Sequence, residues 1–266
     1  MSEVFQRTRV LILVMTYPHP SRGYQELVCT AGVTEDLEWI RLYPIDYRYR
    51  PRHQQFRKYQ WIEVNLATKG KGNDNRKESR KPDLESIKLL GEPLSSKNNW
   101  LERRRIIEKI PVHTSKELRE LYETNKTSLG IICPKRVIDL KIEEDEEEWK
   151  PQWQELYDQL TLFGPHPKPL AKIPYKFSYI FECNGDDKPH RAMIEDWELG
   201  VLYLKEVDRL GNKEKAAESV RKKYLEEMCA SDIDIHFFMG TTFPYNSWVV
   251  VGVYWPKIEY QLGLGF

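Results

Sequence analysis

The sequence predicts an α+β fold in which most strands pair in antiparallel fashion. Three observations indicate it. Strand-like segments fill the N-terminal half, and blocks of helix and strand then follow without the regular βα alternation of a doubly wound fold. Apolar and polar residues alternate along several segments, which is typical of strands with one buried face. A short link containing Glu35 and Asp36 joins two such segments, as expected for a hairpin.

The N-terminal half is predicted to consist of strands. The near-continuous apolar run RVLILVM at 9–15 indicates a buried strand. ELVCTAGV and EWIRLYPI indicate a hairpin, and YQWIEVNLA indicates a further strand with a bulge near Trp61. LESIKLL adds a short strand after the polar, basic segment KGKGNDNRKESRKPD, which we expect to be an exposed loop.

Helices and strands alternate in the second half. NNWLERRRIIEKI and TSKELRELYE read as helices, the second with Glu117 placed to form a capping box with Thr114. SLGIICPKRVIDLKIEE indicates strand with a bend at Cys133-Pro134, and PYKFSYIFECN a strand with one aromatic face. Two helical segments, MIEDWELGVLYLKEVDRLG and KEKAAESVRKKYLEEMCAS, precede two final strands, DIHFFMGTT and SWVVVGVYWP.

Size and composition limit the class of protein. The 266 residues, 40% hydrophobic and 31% charged, fit a globular protein with one large domain or two small ones. We expect an N-terminal β-rich domain over 1–110 and an α+β domain with a second barrel-like sheet over 111–266. The apolar run VLILVM is too short for a signal peptide, and no stretch is long enough for a membrane span. With four scattered cysteines, these features predict a cytoplasmic protein.

Charge is balanced over the whole chain but not along it. With 41 basic and 41 acidic side chains, any attraction to a polyanion has to come from a local excess. Between Arg41 and Lys81 there are twelve Lys/Arg and four Asp/Glu, whereas Glu143–Glu148 contains six acids in succession. Such runs are often solvated surface. We also consider that the acidic run closes over the basic loop when no ligand is bound.

The segment 38–61, EWIRLYPIDYRYRPRHQQFRKYQW, interleaves seven aromatic with six Lys/Arg residues. OB-type barrels bind single strands with such rings and cations. In an extended chain, however, Arg48, Arg50 and Arg52 would share one face and the neighbouring tyrosines the other. A nucleic-acid surface, a rim of solvated arginines and a protein interface all remain open. The predicted phosphate contacts are Arg48, Arg50, Arg52, Arg57, Lys58, Arg76, Arg80 and Lys81, and the predicted stacking rings are Tyr43, Tyr49 and Trp61.

A second group of residues suggests metal chemistry. Acids and a histidine near strand ends can bind a divalent metal such as Mg²⁺ or Mn²⁺ and cleave phosphodiesters. The same residues fit helix N-terminal charges or a solvated strand face equally well. Cys183 and His190 are further metal candidates, although their spacing of seven matches no zinc finger. The candidate catalytic residues are Asp196, Glu198, Asp232, Asp234 and His236.

Three segments carry a resemblance to a known family. CTAGVTEDLEWIRLYP (Cys29 to Pro44) and SLGIICPKRVIDLKI (Ser128 to Ile142) resemble strands of bacterial dual-OB-containing domain proteins, and the loop NRKESRKP is similar to a polar segment of that family. The resemblance covers about the first 145 residues. HRAMIEDWELGVLY and FFMGTTFPYNSWVVVGVYWP depart from it. It implies OB-like barrels, here with a helical elaboration in the C-terminal half, and a nucleic-acid ligand.

The sequence therefore predicts a non-catalytic accessory module that binds single-stranded or structured DNA or RNA and needs no cofactor. One alternative is a nuclease or other phosphodiesterase that depends on Mg²⁺ or Mn²⁺. The other is a protein-interaction subunit of a larger complex, with protein partners instead of nucleic acid.

Overall fold

The computed structural model describes residues 5–21, 25–68, 74–155, 169–242 and 245–259. The largest sheet contains the N-terminal strands. Its members are β1 (Phe5–Met15), β4 (Thr30–Val33), β5 (Trp39–Leu42), β6 (Trp61–Ala67), β7 (Ser79–Arg80) and β8 (Pro82–Leu90), and a small separate ribbon pairs β2 (His19–Ser21) with β3 (Gln25–Leu27).

The six strands are ordered β7-β5-β4-β1-β6-β8, and every pair except β5–β7 is antiparallel. β1 is central and is buried from Val10 to Met15, as the apolar run predicts. The predicted hairpin is formed by β4 and β5, with Thr30 opposite Leu42. The irregularity in β6 lies between Glu63 and Asn65, opposite β8, and not at Trp61 as expected.

Two smaller sheets come from the C-terminal half. Their strands are β9 (Val112–His113), β10 (Leu129–Ile132), β11 (Arg136–Glu144), β12 (Tyr175–Glu182), β13 (His190–Met193), β14 (His236–Thr241) and β15 (Trp248–Tyr254). One has the order β15-β14-β10-β9 and contains the two final strands; the other has the order β11-β12-β13. The antiparallel ladders include β10–β14, β14–β15 and both pairs of the three-stranded sheet.

Three helices of the described residues begin after a residue whose side chain caps them, namely Thr114, Asp196 and Asn212, whereas Ser96 before Lys97–Ile107 makes no such hydrogen bond. Thr114 and Glu117 form the predicted capping box. The predicted helix around Trp197 starts later than expected, because Met193 still belongs to β13 and Asp196 is the N-cap. The helices span Lys97–Ile107, Ser115–Asn125, Trp197–Leu210 and Lys213–Arg221, and a π-helical turn at Lys222–Glu227 follows the last.

Hydrophobic contacts join the two halves of the chain. One cluster of buried side chains combines Leu11, Leu13 and Tyr59 with Ile131 and Phe238. A second cluster lies within the C-terminal half. A third lies within the N-terminal half, and Trp197 from the C-terminal half packs against its edge. The division into two domains at 110/111 therefore stays a prediction. The two halves share one hydrophobic cluster.

The α+β class with mostly antiparallel pairing is confirmed. The OB-like barrel is not, because the described strands form open sheets with no closed barrel. The extended conformation expected after Asp46 is wrong: Tyr47–Tyr49 and Arg52–Gln54 are 3₁₀ turns on either side of Pro51. Proline has no N–H to donate to a strand ladder. The arginines of this segment therefore do not share the face of a strand.

Candidate functional site

Three arginines of the segment 38–61 are paired with carboxylates. Arg48 Nη1 lies 2.8 Å from Glu26 Oε1, and Arg50 Nη1 lies 2.8 Å from Glu85 Oε1. Arg57 Nη2 lies 2.5 Å from Glu92 Oε2. The acids come from other parts of the N-terminal half, so the local excess of positive charge seen in the sequence is offset in space.

Two of the predicted phosphate contacts are buried. The Lys58 side chain is 5% exposed, and its Nζ donates to Asp196 and Glu198 at 2.9–3.1 Å. Arg76 donates to the carboxylate of Asp74 and to the carbonyl oxygen of Thr241. Neither cation faces solvent, because each is buried in a contact between distant parts of the chain. Lys58 bonds to Asp196, and Arg76 bonds to Thr241.

The rest of the predicted surface is dispersed. Arg52 and Lys81 are exposed, whereas Arg80 is half-buried and donates to the carbonyl oxygens of Lys77 and Ser79. The rings of Tyr43, Tyr49 and Trp61 are half-buried, and Trp61 packs against the shared core. Residues 69–73 of the basic loop lie outside the described residues. The described part of the strip therefore forms no continuous basic groove lined with exposed rings.

The candidate catalytic acids do not converge. Asp196 is held by Lys58, whereas Asp232 pairs with Lys257 at 3.4 Å. Asp234 and His236 do come close, and their ligand atoms group with Cys133. Glu198 also pairs with Lys58, next to Asp196. The five candidates therefore lie in three groups: Asp196 with Glu198, Asp232 alone, and Asp234 with His236.

The pair between Lys58 and Asp196 connects the two halves. Burial raises the pKa of Asp196 to about 6, and the Lys58 ammonium opposes that rise. Burial lowers the pKa of Lys58, but Asp196 and Glu198 outweigh it and the net shift is upward. Lys58 therefore stays charged at neutral pH, and the pair is ionised within a largely water-free contact.

A cavity of about 420 Å³ lies beside this pair, and five aromatic rings line part of its wall. Charged side chains surround the rings. The rings are Tyr17, Trp149, Trp153, Tyr175 and Phe177, and the charged groups are Asp145, Glu146, Lys150, Lys172, Lys176, Glu195 and Asp196.

Tyr17 is fixed in the wall by contacts at both ends. Its N–H donates to the Glu195 carbonyl (3.1 Å), and its hydroxyl donates to the Ala171 carbonyl (2.8 Å). The Trp197–Leu210 helix presents Gly200 to the ring, where a Cβ would lie 2.3 Å from Tyr17 Cδ2. Only glycine leaves room for the ring at this position. Burial raises the pKa of Tyr17 to about 12, so its hydroxyl stays protonated.

The opposite wall is built from the acidic run and the chain before β12. Trp149 Nε1 donates to the carbonyl oxygen of Leu170 at 2.7 Å. Lys172 Nζ lies 2.6 Å from Asp145 and 5.4 Å from the centre of the Trp149 ring. Lys176 also reaches Asp145, at 2.9 Å. Separate hydrogen bonds thus fix Trp149 and Lys172, and the lysine lies over the tryptophan ring at the cavity.

Asp145 belongs to the acidic run that we expected to cover the basic loop. Within the described residues, members of this run instead pair with cations of the C-terminal half, among them Lys172, Lys176, Arg191 and Lys213. Burial raises the pKa of Asp145, but hydrogen bonds from Lys172 and Lys176 outweigh it and lower the pKa to about 2.

Glu195 is the polar group that distinguishes the cavity. Burial raises the pKa of its carboxyl, and no ion pair of this side chain occurs among the described residues. Two hydrogen bonds fix its backbone: its N–H donates to the Val250 carbonyl, and its carbonyl oxygen accepts from the Tyr17 N–H. A carboxylate beside aromatic rings can accept hydrogen bonds from a flat ligand that carries N–H groups.

Sequence reasoning missed every residue of this cavity except Asp196. One signal was present: Trp149 and Trp153 lie four residues apart, directly after the acidic run. The contribution of Tyr17, Tyr175 and Glu195 could not be seen in the sequence, because they come from three distant segments. The bridge between Thr16 and Asp196 and the ring contact of Tyr175 with Tyr203 bring these segments to the Trp197–Leu210 helix.

The fold and cavity define an α+β protein with a ligand-sized, aromatic-lined site. The chain belongs to the family "Domain of unknown function (DUF8757)", whose sequence model matches residues 111–264, more than half of the chain. A second such model, "Domain of unknown function (DUF8758)", matches residues 6–109. Comparison with curated proteins gives no match.

Among solved structures, the chain is similar to a murine DNA-binding protein bound to double-stranded DNA. The two share 10% identity over 96% of this chain and 97% of that one, with a TM-score of 0.30. A similarity of this size carries no argument about fold or ligand. In the described part of the chain, no helix combines the length and apolar character needed to cross a membrane.

Proposed function

We propose that the protein is a nucleic-acid-binding protein that takes one unpaired base into the aromatic-lined cavity. The observation that supports this most directly is the group of four half-buried rings, Tyr17, Trp149, Trp153 and Tyr175, beside the half-buried carboxyl of Glu195. The ligand would be single-stranded or structured DNA or RNA, whose bases can leave the stack at moderate cost.

The size of the cavity suits this ligand. Small-molecule sites typically measure roughly 300–1,000 Å³, and the observed 420 Å³ lies in the lower part of that range. A base stacked on an aromatic side chain gains about 1–3 kcal/mol. Several rings around one base would therefore supply most of the binding free energy, without a large charged surface.

Polar groups would set the orientation of the base. The Glu195 carboxylate can accept hydrogen bonds from amino or imino groups on a Watson–Crick edge. Lys172 and Lys176 are near enough to contact a flanking phosphate, although both already pair with Asp145. Because few lysines or arginines would neutralise phosphates, few counterions would be released from the nucleic acid on binding. The affinity should therefore depend only weakly on salt.

The resemblance to dual-OB-containing proteins supports a nucleic-acid ligand, although the proposed contact surface differs from the basic strip. We propose a binding role without catalysis, because Asp196 is neutralised by Lys58 and lies apart from Asp234 and His236. No observation of the described residues favours a phosphodiesterase or a protein-interaction subunit over this role.

Fluorescence anisotropy with labelled single-stranded and duplex oligonucleotides tests the proposal. We expect the single strand to bind more tightly and Trp153→Ala to weaken binding about tenfold, which corresponds to one lost stacking contact. Tyr245→Ala is the matched control, because Tyr245 is exposed and outside the cavity. Absence of binding to any oligonucleotide, or equal weakening by both substitutions, would contradict the proposal.

A further inference from the structure

The turn between β12 and β13 brings together a thiol, a carboxylate and an imidazole. The potential ligand atoms of Cys183, Asp186 and His190 all lie within 4.8 Å of one another. The residues belong to one short segment, ECNGDDKPH, in which the sequence indicated two of the three. This cluster is separate from the aromatic cavity, whose wall includes none of the three.

Backbone geometry explains why the three side chains meet. Phe181 pairs with His190 at the end of the ladder, so the turn begins directly after β12. Gly185 has φ +79°, a conformation that glycine adopts without strain, and it lets the chain reverse. The side chains of Asp186 and His190 then face each other, with His190 Nε2 2.7 Å from Asp186 Oδ2.

The cluster is largely shielded from solvent. Cys183 is 3% exposed, and the side chains of Asp186 and His190 are 11% and 17% exposed. The backbone N–H of Ser115, the first residue of the Ser115–Asn125 helix, donates to the Cys183 thiol. Burial raises the pKa of this thiol, and the Ser115 N–H opposes the rise without reversing it. The thiolate is the form that binds metals, and a bound metal ion displaces the thiol proton.

We propose that Cys183, Asp186 and His190 bind a divalent transition-metal ion of the Zn²⁺ type. Two ligands at about 2.0–2.3 Å from a tetrahedral ion lie about 3.3–3.8 Å apart. His190 Nε2 and Asp186 Oδ2, now hydrogen-bonded at 2.7 Å, therefore have to separate to admit the ion, which side-chain rotations allow. Thiolate and imidazole select Zn²⁺ or Co²⁺ over Mg²⁺, which prefers oxygen ligands. Three protein ligands leave a fourth position for water or another donor.

A second cluster offers a built-in comparison. Cys133, Asp234 and His236 present the same three donor types within the same distance. Cys133 is exposed, however, and these residues come from two different strand ends instead of one turn. The more buried cluster on the turn is the better-organised site, because its ligands lose less freedom on binding a metal.

Titration of the metal-free, full-length protein with Co²⁺ tests this inference. A thiolate ligand produces a charge-transfer absorption band in the near ultraviolet, which Zn²⁺ should then displace. We expect the band to be lost in Cys183→Ser and retained in Cys133→Ser. His190→Ala should weaken Co²⁺ binding by more than the roughly 10- to 100-fold caused by loss of an outer-sphere partner.

Circular dichroism of each metal-free variant shows whether it is folded. If Cys183→Ser does not fold, His190→Ala provides the test. Absence of the band in the wild-type protein would overturn the proposal. So would a band that survives both Cys183→Ser and His190→Ala, or one that requires Cys133.

Discussion

The basic strip at 38–61 and the aromatic cavity contain similar residue types but use them in opposite ways. In the strip, Arg48, Arg50 and Arg57 each pair with a carboxylate. In the cavity, rings surround open space, and Glu195 faces it without an ion pair among the described residues. A concentration of rings and charges therefore does not by itself make a binding site.

Two tyrosines illustrate the difference. Tyr47, in the strip, packs edge-on against Phe56 and Trp197, and its hydroxyl donates to the Phe56 carbonyl. Tyr17, in the cavity, is also fixed through its hydroxyl, but it remains part of the wall. Whether a ring can meet a ligand depends on what other elements leave uncovered.

The largest expected effect concerns the cation of the strip that is buried. Lys58→Met leaves Asp196, with a side chain 1% exposed, without its partner. We expect a loss of about 3–5 kcal/mol in the free energy of unfolding, measured by urea denaturation. Arg57→Met is the control: its pair with Glu92 is exposed, and the loss should stay below about 1 kcal/mol.

Asp196→Asn in the Lys58→Met background should recover much of this loss, because asparagine removes the unpaired charge and can still cap the helix. If Lys58→Met and Arg57→Met were equally stable, the buried pair would not be what joins the two halves.

The second prediction concerns the cavity wall. Gly200→Ala should destabilise the protein by about 1–3 kcal/mol, because the new Cβ would overlap the Tyr17 ring. In a Tyr17→Ala background the same substitution should cost clearly less, because only the end of the Ile173 side chain, 3.0 Å from the new Cβ, then has to move, and alanine is the better helix former. Thermal denaturation of the four proteins measures both values; an equal cost in both backgrounds would exclude the close contact with Tyr17.

A smaller effect is expected from acid. The pKa of Asp145 falls from 3.8 to about 2 on folding, so its contribution to stability is present above pH 3.8 and is lost as the pH approaches 2. Near neutral pH, Asp145→Asn should lower the free energy of unfolding by less than about 1 kcal/mol. This loss is measured as a slightly lower melting temperature. The two proteins should converge near pH 2, and a constant difference down to that pH would refute the assignment.

The smallest effect is predicted for the exposed end of the strip. Arg52→Glu should leave stability within about 0.5 kcal/mol and oligonucleotide affinity within about twofold, with an unchanged salt dependence. Anisotropy at two salt concentrations measures this. A marked loss of affinity would restore the strip as a contact surface and remove the contrast with the cavity.

Local patterns determined much of the fold. The apolar run at 9–15, the alternation in β12 and the capping box at Thr114 each depend on neighbours within a few residues, and each was predictable. Conformation at Tyr47–Tyr49 was not, because alternating residue types suggested a strand where Pro51 and packing impose turns. The acid and histidine set failed as a site for a related reason, since its members lie on separate elements.

The sequence alone thus determined the α+β class, most strands and the composition of the candidate segments. Tertiary structure alone decided which charges are available: Lys58 meets Asp196 across 138 positions, and Tyr17 meets Gly200 from another part of the chain. The physical reason is that secondary structure follows from the spacing of residues along the chain. The accessibility of a charge or ring follows from distant partners that the spacing does not reveal.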